Sequence, residues 1–503
     1  MNLYYYRTIP FVYSILFLSL LKILPSIVSF TIPDQSITKK YNGETLIFWD
    51  EFKDELDLHH RWKPEISLSG FGNWEFQYYN NNRSTIYIKD QHLYIKPSLL
   101  PLSTNQIKDG YTLDIGGTDP ASLCTGPQYW GCLRTSGAGG NYLNFIQSGR
   151  LRTAEFFNFK YGRIEITAKL PKGDYLWPAL WLLPRYASYG PWPSSGEIDL
   201  MESRGNNIDY PPGGHNKFGS TLHVGPYYSG NEWPLLHKIY THSESLHDKF
   251  HIYGLKWTPL GIKTYIDDPS NVVLDVPFTM TMFERGTTNN YFPSNIDNPW
   301  LTATNPLSAP FDQEFYLIMN VAVGGTSEYF PDGYGKPWSN HEEHPLNSFY
   351  NNQNIWYNTW KNDDTAMVID SVYVWQDSNG LDGSTASGKW FEYAAAYGGL
   401  TVLPPSFKQI KNNQINYRSI LPTSNNNNKG SLPGSTSSSP PPRRQLHDES
   451  TKGEHTNTYN NNDYYTNLFH YLLTYIPPTI FQNQTSLYIE IGLKNNSRTS
   501  VHN

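Results

Sequence analysis

Three carboxylates lie within six residues at Glu197, Asp199 and Glu202. Apolar residues separate them, which predicts a strand with one face in the core. Strand alternation puts Glu197 and Asp199 on the same face, and a β-bulge near Leu200-Met201 would return Glu202 to that face. Like charges this close raise the pKa of at least one carboxyl group. Glycoside hydrolysis needs one ionised and one protonated carboxyl group, so the segment is a candidate catalytic strand. The alternative is a solvated acidic edge strand.

Ordered motifs surround this acidic segment. They are Gly72–Gln77 (GNWEFQ), Tyr161–Glu165 (YGRIE), Leu170–Asp174 (LPKGD), Trp177–Trp181 (WPALW) and Asn320–Gly325 (NVAVGG). With the Glu-x-Asp-x-x-Glu spacing, they resemble the laminarinase branch of glycoside hydrolase family 16. The resemblance is greatest to animal β-1,3-glucan-binding proteins, also called Gram-negative-bacteria-binding proteins. It covers about residues 45–378. Several members of this group lack the glutamates and only bind glucan, so the motifs indicate the fold more than the activity.

The resemblance implies a role for each carboxylate. Glu197 would be the nucleophile and Glu202 the general acid/base of a retaining mechanism, which requires carboxyl groups about 5–5.5 Å apart. Asp199 would hydrogen-bond one of the two glutamates and hold its charge state. The alternative for Asp199 is a local hydrogen bond without catalytic weight.

Five further residues are predicted to bind substrate. The resemblance places Trp181 near the scissile sugar, and Trp177 has the same strand parity. His223 would hydrogen-bond a sugar, and Asn81 and Arg83 would reach glucan hydroxyls from an Asn-rich turn. The alternative for the two tryptophans is packing in the core. The alternative for His223 is a strand histidine whose hydrogen bonds are made within the protein, and for Asn81 and Arg83 it is a solvated turn.

Short β-type runs fill the chain from Leu46 onward, separated by Gly, Pro, Asn and Asp. Alternating segments such as Arg163–Lys169, His251–Trp257 and Val368–Trp375 predict an all-β fold, a sandwich of two antiparallel sheets. The resemblance implies the concanavalin-like jelly roll, with a concave substrate cleft.

The net charge of −7 is mild, and no basic patch of the kind that nucleic acid requires is present in the sequence. Arg7, an apolar centre at Phe11–Leu21 and a cut after Ser29 predict a signal peptide at residues 1–29. Lys22 and Pro25 interrupt the apolar run, which argues against a stable membrane span. An uncleaved anchor is the alternative.

The two cysteines, Cys124 and Cys132, are predicted to form a disulfide in a secreted, extracellular protein. Zinc binding by them is disfavoured because no histidine stands between or beside them. Sequons at Asn82, Asn483 and Asn495 are compatible with a secreted glycoprotein.

The predicted domains are a linker at residues 30–44, a catalytic domain at 45–378 and a largely disordered C-terminal extension at 379–503. The extension is predicted from composition, because residues 423–463 are rich in Asn, Ser, Pro and Gly.

The chemistry requires no cofactor. The resemblance implies a possible structural calcium, for which Asp370 is the candidate side-chain ligand. The expected partner is β-1,3-glucan, with bacterial surface polysaccharide as a second candidate.

The sequence is compatible with two functions. One is a secreted endo-β-1,3-glucanase, which the paired glutamates favour. The other is a non-enzymatic recognition protein of innate immunity.

Overall fold

Strands dominate the part of the chain that the computed structural model describes, which is residues 33–53, 56–116 and 124–396. Runs of β-branched and aromatic residues form these strands, and Gly, Pro, Asn and Asp form the turns between them. Two large antiparallel sheets result, so the predicted all-β sandwich is confirmed.

The first sheet has eight strands, in the spatial order β19-β18-β17-β12-β21-β5-β4, with β1 also paired to β21. Its strands, numbered in chain order, are β1 (Glu44–Asp50), β4 (Ile86–Lys89), β5 (His92–Ile95), β12 (Gly162–Lys169), β17 (His251–Thr258), β18 (Gly261–Ile266), β19 (Val272–Pro277) and β21 (Met367–Asp377).

The second sheet has nine strands, in the order β16-β15-β14-β13-β20-β10-β2, with β11 joining β20 to β22. Its strands are β2 (Lys63–Pro64), β10 (Arg150–Arg152), β11 (Asn158–Lys160), β13 (Leu176–Pro184), β14 (Glu197–Ser203), β15 (Lys217–His223), β16 (His237–Thr241), β20 (Phe315–Val323) and β22 (Thr385–Ser387). The acidic segment is β14, the third strand from one end of this order.

Large aromatic side chains pack the two sheets against each other. Trp257 of the first sheet lies with its ring centroid 5.4 Å from that of Phe315 of the second sheet. The rings of Tyr253 in the first sheet and Phe218 in the second sheet also contact each other, with centroids 5.3 Å apart. Buried aromatics of this size dominate the burial of apolar surface, so they set the spacing and alignment of the sheets.

Smaller elements complete the described fold. A three-stranded sheet contains β3 (Gln77–Tyr79), β6 (Ser98–Leu99) and β9 (Ile146–Ser148), and β7 (Thr112–Asp114) pairs with β8 (Leu133–Thr135). The α-helices are Gln35–Thr38, Thr104–Lys108, Met282–Thr288, Pro345–Asn351, Gln353–Trp356 and Trp390–Ala396. The 3-10 turns are Gly70–Gly72, Gln128–Trp130, Ala138–Gly140, Tyr228–Gly230, Trp233–Leu235, Tyr357–Thr359 and Asn362–Thr365.

Residues 33–44, which are the described part of the predicted linker, pack on the outer face of the first sheet. The indole N–H of Trp375 donates to the carbonyl of Ile37 at 3.2 Å, and the Tyr41 hydroxyl donates to the carboxylate of Glu165. These contacts tie the segment to β21 and β12.

The predicted boundary at 378 falls too early. β22 pairs with β11, and Trp390 in the last described helix is fully buried, with its indole N–H donating to the carbonyl of Ile47 at 2.8 Å. The sequence signal for disorder lies further on, at 423–463. The predicted signal peptide at 1–29 and residues 397–503 of the predicted extension lie outside the described residues. Among the described helices, none has the length and apolar character needed to cross a bilayer.

Candidate active site

A β-bulge shapes the acidic strand. Against β13, Glu202 pairs with Ala179 and Asp199 pairs with Trp181, so one extra residue of β14 lies between these pairs. The shift occurs at Leu200-Met201, where the sequence predicts it. Ile198, Leu200 and Met201 are buried in the core, and the bulge returns Glu202 to the face that carries the other two carboxylates.

Indole N–H groups hold the two glutamates. Trp177 donates to Oε1 of Glu202 at 2.9 Å, and Trp192 donates to Oε2 of Glu197. Each bond favours the ionised form of its glutamate, because a carboxylate accepts better than a carboxylic acid. The two glutamates therefore have separate donors that fix their orientation.

Asp199 lies deepest of the three carboxylates and is 2% exposed. One of its oxygens lies within 4.8 Å of an oxygen of Glu197. A direct hydrogen bond between the two carboxyl groups requires one of them to be protonated, since neither ionised group can donate. Nε2 of His223 lies 3.3 Å from Oδ2 of Asp199. One donor or acceptor atom from each of Glu197, Asp199 and His223 falls within 4.8 Å of the others.

The tautomer of His223 follows from Asn231. The side-chain oxygen of Asn231 accepts from the backbone N–H groups of Val224 and Trp233, both at 3.2 Å. Its amide nitrogen lies 2.9 Å from Nδ1 of His223 and donates to it. Nε2 of His223 therefore carries the ring hydrogen and faces Asp199.

Burial raises the pKa of all three carboxyl groups. Burial and then the Asp199 charge raise the pKa of Glu197 to about 8. Burial and then the Glu202 charge raise the pKa of Asp199 well above its usual value, and burial raises the pKa of Glu202. The three groups therefore hold at least one proton at neutral pH, which the sequence predicts from their spacing. The deepest group, Asp199, is the natural place for it.

The two predicted tryptophans have different surroundings. Trp177 is buried and stacks on Tyr329 with centroids 3.8 Å apart, so one ring face is covered. Its contribution is the hydrogen bond to Glu202. Trp181 is half-buried, and its indole N–H donates to Oδ1 of Asn320 at 2.6 Å. Trp181 lies next to Asp199 in register, on the same face.

A network of hydrogen bonds continues from Trp181 and Asn320 to a buried carboxylate. Asn320 donates to the hydroxyl of Tyr79 at 3.0 Å, and Tyr79 donates to the buried carboxylate of Glu75 at 3.4 Å. The guanidinium of Arg150 lies 4.7 Å from the centroid of the Trp181 ring. Burial raises the pKa of Glu75, and the Arg150 charge opposes that shift.

Asn81 and Arg83 are exposed in the turn between β3 and β4. Within the described part of the chain, neither makes a hydrogen bond or an ion pair with a side chain of the acidic strand. Their role in sugar binding stays a prediction.

The candidate calcium ligand, Asp370, has one oxygen 3.4 Å from Nε2 of His92 and the other accepting from the Ser371 hydroxyl at 2.9 Å. Calcium prefers six to eight oxygen donors. The described residues place no group of three candidate ligands around Asp370. Backbone carbonyls could supply further oxygen donors beside Asp370, so a structural calcium there stays a prediction.

Sequence reasoning missed Trp192, Asn231 and Asn320 as site residues. Asn320 and Asn231 lie far from the acidic strand in sequence, and a single asparagine carries no local signal. Trp192 could have been found, because it stands five residues before Glu197 in the turn that leads into β14.

Cys124 and Cys132 form the predicted disulfide, with their Cα atoms 5.5 Å apart. It closes a loop next to the 3-10 turn Gly70–Gly72, at the β2 end of the second sheet.

A two-sheet β-sandwich that carries glutamates on both sides of a strand bulge defines a class of carbohydrate-active proteins. Residues 134–294 match the family model described as glycosyl hydrolases family 16. The chain is 43% identical over 341 residues to a β-1,3-glucan-binding protein of Penaeus monodon, which covers 66% of this chain and 90% of that protein. The chain therefore belongs to glycoside hydrolase family 16, in its group of animal β-1,3-glucan-binding proteins.

Two further relatives have different descriptions. Glucan endo-1,3-beta-glucosidase A1 of Niallia circulans is 31% identical over 296 residues, covering 56% of this chain and 34% of that protein. Gram-negative bacteria-binding protein 1 of Drosophila melanogaster is 31% identical over 346 residues, covering 66% of this chain and 64% of that protein. The family thus includes proteins named for hydrolysis and proteins named for binding.

Proposed function

We propose that this protein is an endo-β-1,3-glucanase that hydrolyses laminarin-like glucan with retention of configuration. The observation that carries the proposal is the bulge of β14, which puts Glu197 and Glu202 on one face with separate indole donors. A protein that only binds glucan needs no such pair.

In this mechanism Glu197 attacks the anomeric carbon while protonated Glu202 donates to the leaving oxygen. Protonated Asp199 donates a hydrogen bond to Glu197 and so stabilises the ionised form of the nucleophile. Glu202 then takes a proton from water, which hydrolyses the glycosyl-enzyme. The raised pKa of Glu202 suits a group that must first donate a proton near neutral pH.

The second candidate function is recognition of β-1,3-glucan or bacterial surface polysaccharide in innate immunity. The 43% identity to a β-1,3-glucan-binding protein favours it. In either case we propose an extracellular, secreted protein, which the Cys124–Cys132 disulfide supports.

One experiment separates the two functions. Laminarin is incubated with the wild type and with Glu197→Gln, and reducing ends and bound glucan are measured in parallel. The glucanase proposal expects turnover by the wild type, at least about 1,000-fold slower turnover by the variant, and retained binding. Equal glucan binding by both proteins without turnover by either supports recognition. Proton NMR of a fresh digest should show the β anomer first, and an α anomer would reject the nucleophile assignment.

A further inference from the structure

Three exposed aromatic side chains touch one another beside the disulfide loop. Trp74, Tyr129 and Trp130 are 44%, 48% and 71% exposed. The ring of Trp74 has its centroid 5.5 Å from that of Tyr129 and 6.5 Å from that of Trp130. These three residues are called the aromatic platform below. Contiguous exposed apolar surface of this kind marks an interaction site.

The backbone under the platform is strained. Trp74, Tyr129 and Trp130 have φ angles of 52°, 54° and 59°, and Phe71 beside them has 48°. Bulky side chains disfavour this left-handed region, and such residues persist only where the surroundings force them. Strained backbone concentrates at ligand-binding sites, and here four aromatic residues of two neighbouring turns share it.

The loop that carries Tyr129 and Trp130 is fixed at several points. The Cys124–Cys132 disulfide closes it. The N–H of Leu68 donates to the carbonyl of Gly131 at 2.8 Å, and a guanidinium nitrogen of Arg134 donates to the carbonyl of Tyr129 at 3.2 Å. A Cβ at Gly131 would lie 2.0 Å from the carbonyl oxygen of Gly126, so only glycine fits there. A fixed surface loses little entropy when it binds a ligand.

Aromatic and cationic groups connect the platform to the acidic strand. The guanidinium of Arg150 lies 4.7 Å from the Trp181 ring centroid and 4.1 Å from that of Phe71. Gly72, the next residue, borders Tyr129, since a Cβ there would lie 3.6 Å from the Tyr129 hydroxyl. Trp181 in turn pairs with Asp199. The track therefore runs across the second sheet from the carboxylates to the platform.

The length of the track follows from the strand order. From β14 it crosses β13, β20 and β10 and reaches β2, next to the platform. Four strand spacings of about 4.8 Å give a span of about 19 Å. A sugar ring covers on the order of one strand spacing, so the platform lies about four rings from the carboxylates.

We propose that the aromatic platform is a remote glucan-binding subsite, which holds one arm of a long β-glucan by stacking on its sugar rings. The apolar C–H faces of the rings match the exposed indole and phenol faces. This inference rests on the proposed glucan substrate and adds a preference for long chains. It assigns the disulfide loop the function of presenting the two exposed rings.

The test measures the affinity of laminari-oligosaccharides of three and seven units by calorimetry in the Glu197→Gln background, which prevents hydrolysis. Trp130→Ala is compared with Trp130→Phe, which keeps a ring. Leu260→Ala is the control for loss of an exposed apolar side chain, because Leu260 is 81% exposed in the β17–β18 turn of the first sheet.

Trp130→Ala should weaken heptasaccharide binding about five- to tenfold, as loss of an aromatic anchor does, and leave trisaccharide binding within about twofold. Trp130→Phe should restore most of the loss, and Leu260→Ala should change neither affinity. Equal effects of Trp130→Ala on both sugars, no effect on the heptasaccharide, or an equal loss in Leu260→Ala would overturn the subsite. If the parent variant binds neither sugar, the proposed glucan substrate fails instead, and the subsite with it.

Discussion

Replacing Glu197 by glutamine should stabilise the folded protein above pH 5. Burial and the neighbouring Asp199 raise the pKa of Glu197 to about 8 from its ordinary value of 4.5. Between these values the folded Glu197–Asp199 pair holds a proton that the unfolded chain has lost. The free energy of unfolding therefore falls as pH rises through this window. Glutamine keeps the shape of the side chain and removes one of the two titrating groups of the pair, so the variant escapes this loss.

The magnitude follows from the linkage relation. At pH 7 the pKa difference corresponds to at most about 3 kcal/mol, and sharing of the proton with Asp199 reduces this to about 1–3 kcal/mol. With an unfolding entropy of about 2.1 cal/mol/K per residue over a domain of this size, Tm should rise by about 1–4 °C. The variant and the wild type should melt together near pH 4.5.

The assay is thermal unfolding, followed by circular dichroism from pH 4 to 9. Asp363→Asn is the matched control, because hydrogen bonds from Lys89 and Lys96 lower the pKa of Asp363 to about 2. Its contribution to stability is full above about pH 4, so this variant should melt below the wild type by a constant amount across the range. A Glu197→Gln variant that melts lower than wild type at pH 8, or a difference that does not change with pH, would refute the assigned pKa shift.

Three further predictions concern the surroundings of the site. Glu232→Gln should gain stability relative to the wild type between pH 5 and 8, because burial raises the pKa of Glu232 to about 8; a flat difference in chemical denaturation across that range would contradict this. Trp192→Phe should move the acidic limb of the pH–rate profile to higher pH. The indole N–H of Trp192 lowers the pKa of Glu197, so its removal raises that pKa; an unchanged limb would show that Glu197 does not set it. Asn320→Ala should cost about 1–3 kcal/mol in urea denaturation, because it removes the partners of Trp181 and Tyr79; a loss under about 0.5 kcal/mol would show that water replaces the amide.

The acidic strand could be predicted in detail because its information is local. Alternation fixes the faces of Glu197 and Asp199, and the adjacent apolar pair Leu200-Met201 signals the extra residue that returns Glu202. The disulfide was predictable for a different reason, since a chain with two cysteines leaves only one possible pairing.

The side chains that contact these residues could not be predicted, because they lie on segments that are distant in the sequence. Trp177 has the parity of a cleft residue, yet Tyr329, 152 positions later, covers one face of its ring. The boundary at 378 failed for a similar reason. Composition changes further on, and Trp390 and Phe391 bring the chain back into the core after residue 378.

The course of residues 33–44 decides how the protein could be attached to a surface. This segment crosses the outer face of the first sheet, where Tyr41 contacts Glu165 and Ile37 receives the indole N–H of Trp375. The carboxylates lie on the opposite side of the sandwich. A biosensor chip or bead that is coupled to this segment would therefore leave the acidic face turned outward, where large particles can reach it as well as free oligosaccharides.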